Sequence, residues 1–359
     1  MRIILTVALS AVGTLAALPA AESARPLAPT TVTWKKPPAV LGELPGALPK
    51  QTGAEVTVAT SVLKTKCGLQ FEDTPFWEAL QTAADKSGTR LALSNGGRKV
   101  EFVPRGKSRE VATTSGAFRV VAQQVVGRAL LDEGITTHEV QLLVHWEPRV
   151  RVYRIDSVPK ISKVTDVPGS KITAEEGGTQ ILPLDATSEM SVKFTGFTRD
   201  SEKITTLAGV FSVTAADRML TFTFDPTGKL PAAGALPQGE KNPGVTASLK
   251  RVQKKGDSWE VAVEVTYPPN QPEFESNQAE WWLRDNRLTV LAPNGKAFVI
   301  EDYEIPSPYN PLVAVYRFKE DANKGLGNPT AVGWKIVYET PAPLADVKVP
   351  FELKDIPLL

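Results

Sequence analysis

The sequence is short of the residues that metal and redox chemistry need. It holds one cysteine, Cys67, and two histidines, His138 and His145, among 359 residues. A lone cysteine cannot close a disulfide within the chain, so stability has to come from packed cores. Cys67 is expected half-buried beside a strand; an intermolecular disulfide is the other reading. A structural zinc site takes about four ligands, which one cysteine and two histidines do not supply. An excess of either charge is also missing: 41 Lys and Arg stand against 40 Asp and Glu. That balance argues against bulk electrostatic binding to nucleic acid, which uses a basic face, and leaves room for a local patch. No G-x-S-x-G nucleophile elbow occurs. "EEGGTQ" and "SNGGRK" read as turns, not as phosphate-binding loops, and no calcium loop of the EF-hand type is present. The acidic pairs Glu72-Asp73, Glu175-Glu176 and Glu301-Asp302 fall at helix-entry and loop signals. No cofactor and no catalytic constellation is expected.

One long apolar run opens the chain. In "MRIILTVALSAVGTLAALPAAESARP", Arg2 precedes an apolar stretch from Ile3 to Leu18 that Pro19 breaks. Ala21-Glu22-Ser23 then fits a small-x-small cleavage pattern. This reads as a signal peptide over residues 1–23, which implies an exported protein of the periplasm or cell surface. No cysteine is there to take a lipid. No later stretch is long and apolar enough to span a bilayer as a helix, so no transmembrane segment is expected in the mature chain.

Residues 24–105 carry mixed helical and strand signals. "TVTWK" alternates like a strand, and Pro37, Pro38, Pro45 and Pro49 keep any nearby helix short. In "LQFEDTPFWEALQTAADKSGTRLALSNGGRKVEFVP", Thr74 is positioned to cap a helix and Pro75 to occupy its first position. Phe76, Trp77, Leu80, Ala83 and Ala84 share one face at helical spacing. Gly88 is placed to end the helix, and "NGG" between "RLALS" and "KVEFV" marks a hairpin. The order is βαβ, then βαββ. With "QTGAEVTVA", these segments resemble the short N-terminal module of secretins and TonB-dependent receptors. That resemblance covers about a fifth of the chain and implies protein contacts in the cell envelope. The outer-membrane barrel that normally follows is absent.

From residue 106 on the pattern is of strands split by Gly, Pro, Asp and Ser turns. A β-sandwich-like domain is expected over 106–225, a Pro- and Gly-rich linker over 226–244, and a second β-sandwich-like domain over 245–359. Asn294-Gly295 marks a tight hairpin in the last. "ITTLAGVFSVTAADRMLTFTFD", "WWLRDNRLTVLAPNGK", "GWKIVYETP" and "VPFELKDIPLL" resemble uncharacterised exported proteins of planctomycete bacteria, a likeness that implies no activity. The fold class is α+β: a small α/β module followed by two mainly antiparallel β-sandwich-like domains.

Both histidines lie in "THEVQLLVHWEPRVRV", residues 136–151. Side chains alternate faces along a strand. His138, Val140, Leu142, Val144 and Trp146 share the core parity; His145, Glu147, Arg149 and Arg151 share the other. The histidines therefore face opposite ways and cannot ligate one metal together. The second set is either an ordinary charged sheet surface or a binding stripe for an acidic partner, its arginines forking onto carboxylates or phosphates. Trp281 and Trp282 are either packed inward or, in a strand, one is exposed to stack on sugar rings. Trp34, Trp77, Trp146, Trp259 and Trp334 sit in apolar patterns and read as core. The sequence thus points to a non-enzymatic envelope protein that contacts or scaffolds other proteins, or else to one that binds polysaccharide through Trp281 or Trp282.

Overall fold

The computed structural model describes residues 27–34, 38–48, 50–107, 110–132, 134–216, 218–239, 244–269, 272, 285–342 and 344–358. Residues 1–23, read from the sequence as a signal peptide, lie outside them. Among the described residues no helix is long and apolar enough to cross a membrane. The chain is mostly β, in several antiparallel sheets.

The N-terminal part contains β1 (Thr31–Val32), α1 (Leu44–Ala47), β2 (Glu55–Val58), β3 (Thr74–Pro75), α2 (Phe76–Ser87), β4 (Thr89–Ser94) and β5 (Lys99–Pro104). β1 pairs with β3, and β2-β5-β4 form a three-stranded sheet in which β2 runs parallel to β5. The apolar face of α2 is buried as its spacing required: Phe76, Trp77, Leu80, Ala83 and Ala84 are inside. Gly88 ends the helix with φ 65°, a left-handed turn that glycine takes without strain. The helix entry differs from expectation. Thr74 and Pro75 pair with β1, so the helix begins at Phe76, Pro75 is the residue before it, and no side chain caps it. The Thr74 hydroxyl donates instead to the Glu72 carbonyl. Cys67 is a buried free thiol that donates to the Pro38 carbonyl, and burial pushes its pKa up.

Two five-stranded sheets share the next core. The strands are β6 (Val111–Ser115), β7 (Phe118–Leu130), β8 (Ile135–Trp146), β9 (Arg151–Asp156), β10 (Lys160–Asp166), β11 (Thr173–Ala174), β12 (Gln180–Ile181), β13 (Thr187–Thr195) and β14 (Lys203–Ala216), joined by the last strand of the chain, β24 (Leu344–Pro357). One sheet has the order β11-β13-β8-β7-β6. In the other, β14 is the spine: β10 pairs its first half and β9 its second half on one edge. Phe118, Val120, Val140, Leu142, Val144, Trp146, Phe194, Phe211 and Val213 fill the space between them.

The second β core belongs to β15 (Met219–Phe224), β16 (Ala232–Ala233), β17 (Thr246–Lys255), β18 (Ser258–Thr266), β19 (Arg287–Leu291), β20 (Ala297–Ile300), β21 (Tyr303–Ser307), β22 (Leu312–Lys319) and β23 (Lys335–Pro341). Their sheets are β15-β23-β19-β20 and β16-β17-β18-β22-β21. The β19–β20 hairpin turns at Asn294-Gly295 as read from the sequence, with Gly295 at φ 82°.

Three boundaries move. β15 falls within the first β domain expected over 106–225, but it pairs with β23 and its Leu220, Phe222 and Phe224 fill the second core. The last strand, β24 (Leu344–Pro357), falls within the second domain expected over 245–359. It pairs with β14 along the whole of that strand and sends Val347, Val349, Phe351 and Leu353 into the first core. The first β unit is therefore discontinuous, and the second is inserted between β14 and β24. The described part of 226–244 is not a free linker either. β16 pairs with β17, Ala235 exchanges two backbone hydrogen bonds with Thr223, and Leu230 and Leu236 pack on the second core. Apolar side chains at alternating positions in that stretch outweigh its Pro and Gly content.

Candidate functional site

β8 alternates cleanly until its end. Val140, Leu142, Val144 and Trp146 are buried against the first core, as parity required. His145, on the opposite face, is buried too. The reason is a second layer, for the N-terminal module covers this end of the sheet.

The contact is built around Trp77, which α2 presents. Its Nε1–H donates to the Ala117 carbonyl at 3.0 Å, and its ring lies 6.4 Å from that of His145. Arg119 stands opposite His145 on β7. This arginine is only 1% exposed; its Nε and Nη2 donate to Gln81 Oε1 of α2, and its Nη2 lies 2.8 Å from Glu110 Oε1. Burial, reinforced by the Arg119 charge, pushes the His145 pKa down to about 3. A neutral imidazole is thus locked beneath the helix.

Glu147 and Arg149 form the adjoining part. Glu147 Oε1 accepts from the Thr30 backbone N–H at 2.9 Å, and Oε2 accepts from the Thr30 hydroxyl at 2.5 Å and from Arg149 Nε at 2.7 Å. Arg149 Nε–H also reaches the Thr30 hydroxyl, its Nη2 donates to the Ala28 carbonyl, and its backbone N–H donates to the Thr52 carbonyl. Charge-assisted bonds of this kind satisfy a carboxylate taken wholly out of water. The "NGG" hairpin completes the seam: the Ala186 N–H donates to the Gly96 carbonyl at 2.9 Å.

The stripe expected to face solvent or an acidic partner is therefore divided. His145, Glu147 and Arg149 are taken up by the protein's own N-terminal module, which corrects their reading as an open surface. Arg151 stays part-exposed. It lines a cleft of about 220 Å³ where all three units meet, together with Arg98, Tyr153, Asp185 and Asp285. Tyr153 donates to Asp285 Oδ2 at 2.7 Å and packs with the second core, tying the two β units together. Trp281 and Trp282 lie outside the described residues. Trp34, Trp77, Trp146 and Trp259 are buried and Trp334 packs on the second core, as read from the sequence. His138 lies on the core side, its ring 5.0 Å from that of Phe197, and burial lowers its pKa.

Sequence reasoning missed Arg119, Thr30 and the seam role of the hairpin glycines. The one signal for Arg119 was a charge inside the apolar run "AFRVV". Among the described residues no group of three or more His, Cys, Asp or Glu is placed to hold a metal ion.

A different feature stays open. β6 pairs with β7 only as far as Ala122. Beyond a bulge at residues 122–124, Gln124 to Leu130 pair with β8 on one side and with no described strand on the other. This half of β7 is an edge of the sheet, with β13 flanking β8 on the far side as far as Thr137, and Leu131 in the turn that follows is 90% exposed.

No family model and no curated protein matches the sequence. Among solved structures, a conserved domain protein from Bacillus anthracis is similar at 10% identity, over 68% of this chain and 89% of that one, with a TM-score of 0.19. A similarity that low carries no argument for fold or function.

Proposed function

We propose that the chain is an exported, non-enzymatic envelope protein that acts by protein–protein contact, its α/β module and its two β-sandwiches serving as a rigid scaffold for an exposed strand edge. The observation that carries this reading is the free edge of β7 from Gln124 to Leu130. An unpaired edge offers a row of backbone donors and acceptors for strand addition. Several other edges of the described sheets are protected. β10 carries Lys160 and Lys163 and a bulge, and β21 carries Pro306 and a bulge. β24 carries Pro350 amid Lys348, Glu352 and Lys354, and β6 runs beside it. β11, β12 and β16 are two residues long. The β7 edge holds no lysine, acid or proline, and its Arg128 is paired with Glu139 at 3.2 Å.

The α/β order of the N-terminal part, and its likeness to the secretin and TonB module, add support for an envelope setting. Part of that module's surface holds the first β unit through Trp77, Gln81 and Thr30, and the β7 edge lies apart from that seam. A photo-crosslinking residue placed at Gln124 of the full chain, exposed to envelope extract, is expected to form an adduct with a polypeptide. The same residue at Lys160 is expected to form none. Equal yields at the two positions would overturn the proposal.

A further inference from the structure

The cleft where the three units meet is a site of another kind, independent of the β7 edge. Its walls come from separate stretches of chain: Arg98 from the turn before β5, Arg151 and Tyr153 from β9, Asp185 from the loop before β13, and Asp285 from just ahead of β19. Junctions between units are where small-molecule sites concentrate. Tyr153 is buried, and its hydroxyl fixes the Asp285 carboxylate on one wall. Among the described residues, neither guanidinium and no oxygen of the Asp185 side chain is engaged in an ion pair or a hydrogen bond. The neighbouring seam is different, for there Glu147 is paired with Arg149 and Arg119 with Glu110. Two charges of each sign thus converge on one concavity without neutralising one another. Beside them stands an apolar wall that includes Leu182 and Leu184, and Leu184 is 77% exposed with nothing in the chain to cover it.

We propose that this cleft binds a compact zwitterion with an apolar side chain, of the size of a free amino acid, its carboxylate held by Arg151 and its ammonium group by Asp185. The charges select the class. A simple anion meets two carboxylates on the walls, and a simple cation meets two guanidiniums. A neutral molecule leaves all four charges without an ionic complement. A molecule that carries one group of each sign satisfies both kinds, and a guanidinium presents its donors as a fork that a carboxylate matches. Arg98 and Asp285 flank these contacts with one further charge of each sign. The size agrees. The cleft's volume of about 220 Å³ lies below the about 300 Å³ at which pockets for drug-sized ligands begin, which leaves no room for a folded peptide or an oligosaccharide. Leu182 and Leu184 then take the apolar side chain of the ligand.

Leucine and its two halves test this. Isothermal titration of the full chain compares leucine with isocaproate, which is leucine without its amine, and with isopentylamine, which is leucine without its carboxylate. Leucine is expected to bind at millimolar concentration, and tighter than either analogue by about tenfold or more, the worth of one charge-assisted hydrogen bond. Asp185→Asn is expected to bring leucine down to the affinity of isocaproate and to leave isocaproate itself unchanged. Arg151→Gln is expected to bring leucine down to the affinity of isopentylamine. Unchanged circular dichroism and an unchanged melt without ligand show that each variant is folded. No heat of binding from leucine at millimolar concentration, equal binding of the three compounds, or variants that lower all three alike would overturn the proposal. The Gln124 crosslink reads a different surface, so failure here leaves the strand-edge reading standing, and failure there leaves this one.

Discussion

His145 illustrates how a residue's chemistry is set by what covers it. Alone on an outer strand face it would titrate near the ordinary histidine value and could meet an acidic partner. Beneath Trp77 and beside Arg119 its pKa falls to about 3, because burial and the neighbouring guanidinium both disfavour the imidazolium. The folded-state pKa lies below the unfolded value, so the unfolded chain takes the proton first as pH falls. The resulting stability is fully present above about pH 6.5 and is lost on descending toward the folded value. His138, lowered by burial, acts in the same direction. Between pH 7 and 4 the His145 contribution amounts to about 3 kcal/mol of lost stability. Urea unfolding at both pH values is expected to show His145→Gln losing less stability than the native chain by about that amount. Equal losses would show that His145 does not titrate in this window. Parity was legible at this scale: it separated the two histidines and picked out Val140, Leu142, Val144 and Trp146 as core. What lay over the other parity was not legible, because alternation reports faces and not the layer that meets them.

At the scale of elements, the "NGG" turn shows how a local signal can be right and still incomplete. Asn95, Gly96 and Gly97 do make the β4–β5 hairpin, with φ of 50°, 58° and 79°. They also press against the loop before β13: a Cβ on Gly97 would lie 2.8 Å from the Ala186 carbonyl oxygen, and one on Gly96 2.2 Å from Asp185 Cγ. Gly97→Val therefore meets both a disfavoured backbone conformation and a backbone clash. It is expected to cost about 2–4 kcal/mol, read as a lower urea midpoint. Gly106→Val, at φ 59° with no atom within 4 Å of its Cβ, meets only the first penalty and is expected to cost clearly less. If the two variants lose equal stability, the seam contact is unimportant. Helix α2 was legible from its apolar spacing and from Gly88. Its first residue was not, since pairing between β1 and β3 claimed Thr74 and Pro75.

For the whole molecule, the decisive feature is the return of β24 to the first β unit. Its pairing with β14 keeps one register from Lys203↔Pro357 to Ala216↔Leu344. An excised fragment of residues 106–225 lacks Val347, Val349, Phe351 and Leu353 from its core and carries β15 with its partner strand missing. It is expected to be unfolded or aggregated. A fragment of residues 218–342 keeps every strand of the second unit's two sheets and is expected to fold, with β-type circular dichroism and a cooperative melt. A folded 106–225 fragment would show that β24 is dispensable to the first core.

The sequence by itself determined the strand periodicity, the apolar face of α2, the β19–β20 turn at Asn294-Gly295 and the buried set on β8, because each is written in spacings of a few residues. Only the tertiary structure decided which sheet each strand joined. Hydrogen bonding between backbones is blind to side-chain identity, so "VKVPFEL" alternates equally well beside β23 or beside β14. The fate of "THEVQLLVHWEPRVRV" was decided in the same way. A neutral His145 and a carboxylate–guanidinium pair at Glu147 and Arg149 became an internal seam when Trp77 and Thr30, distant in sequence, were laid over them.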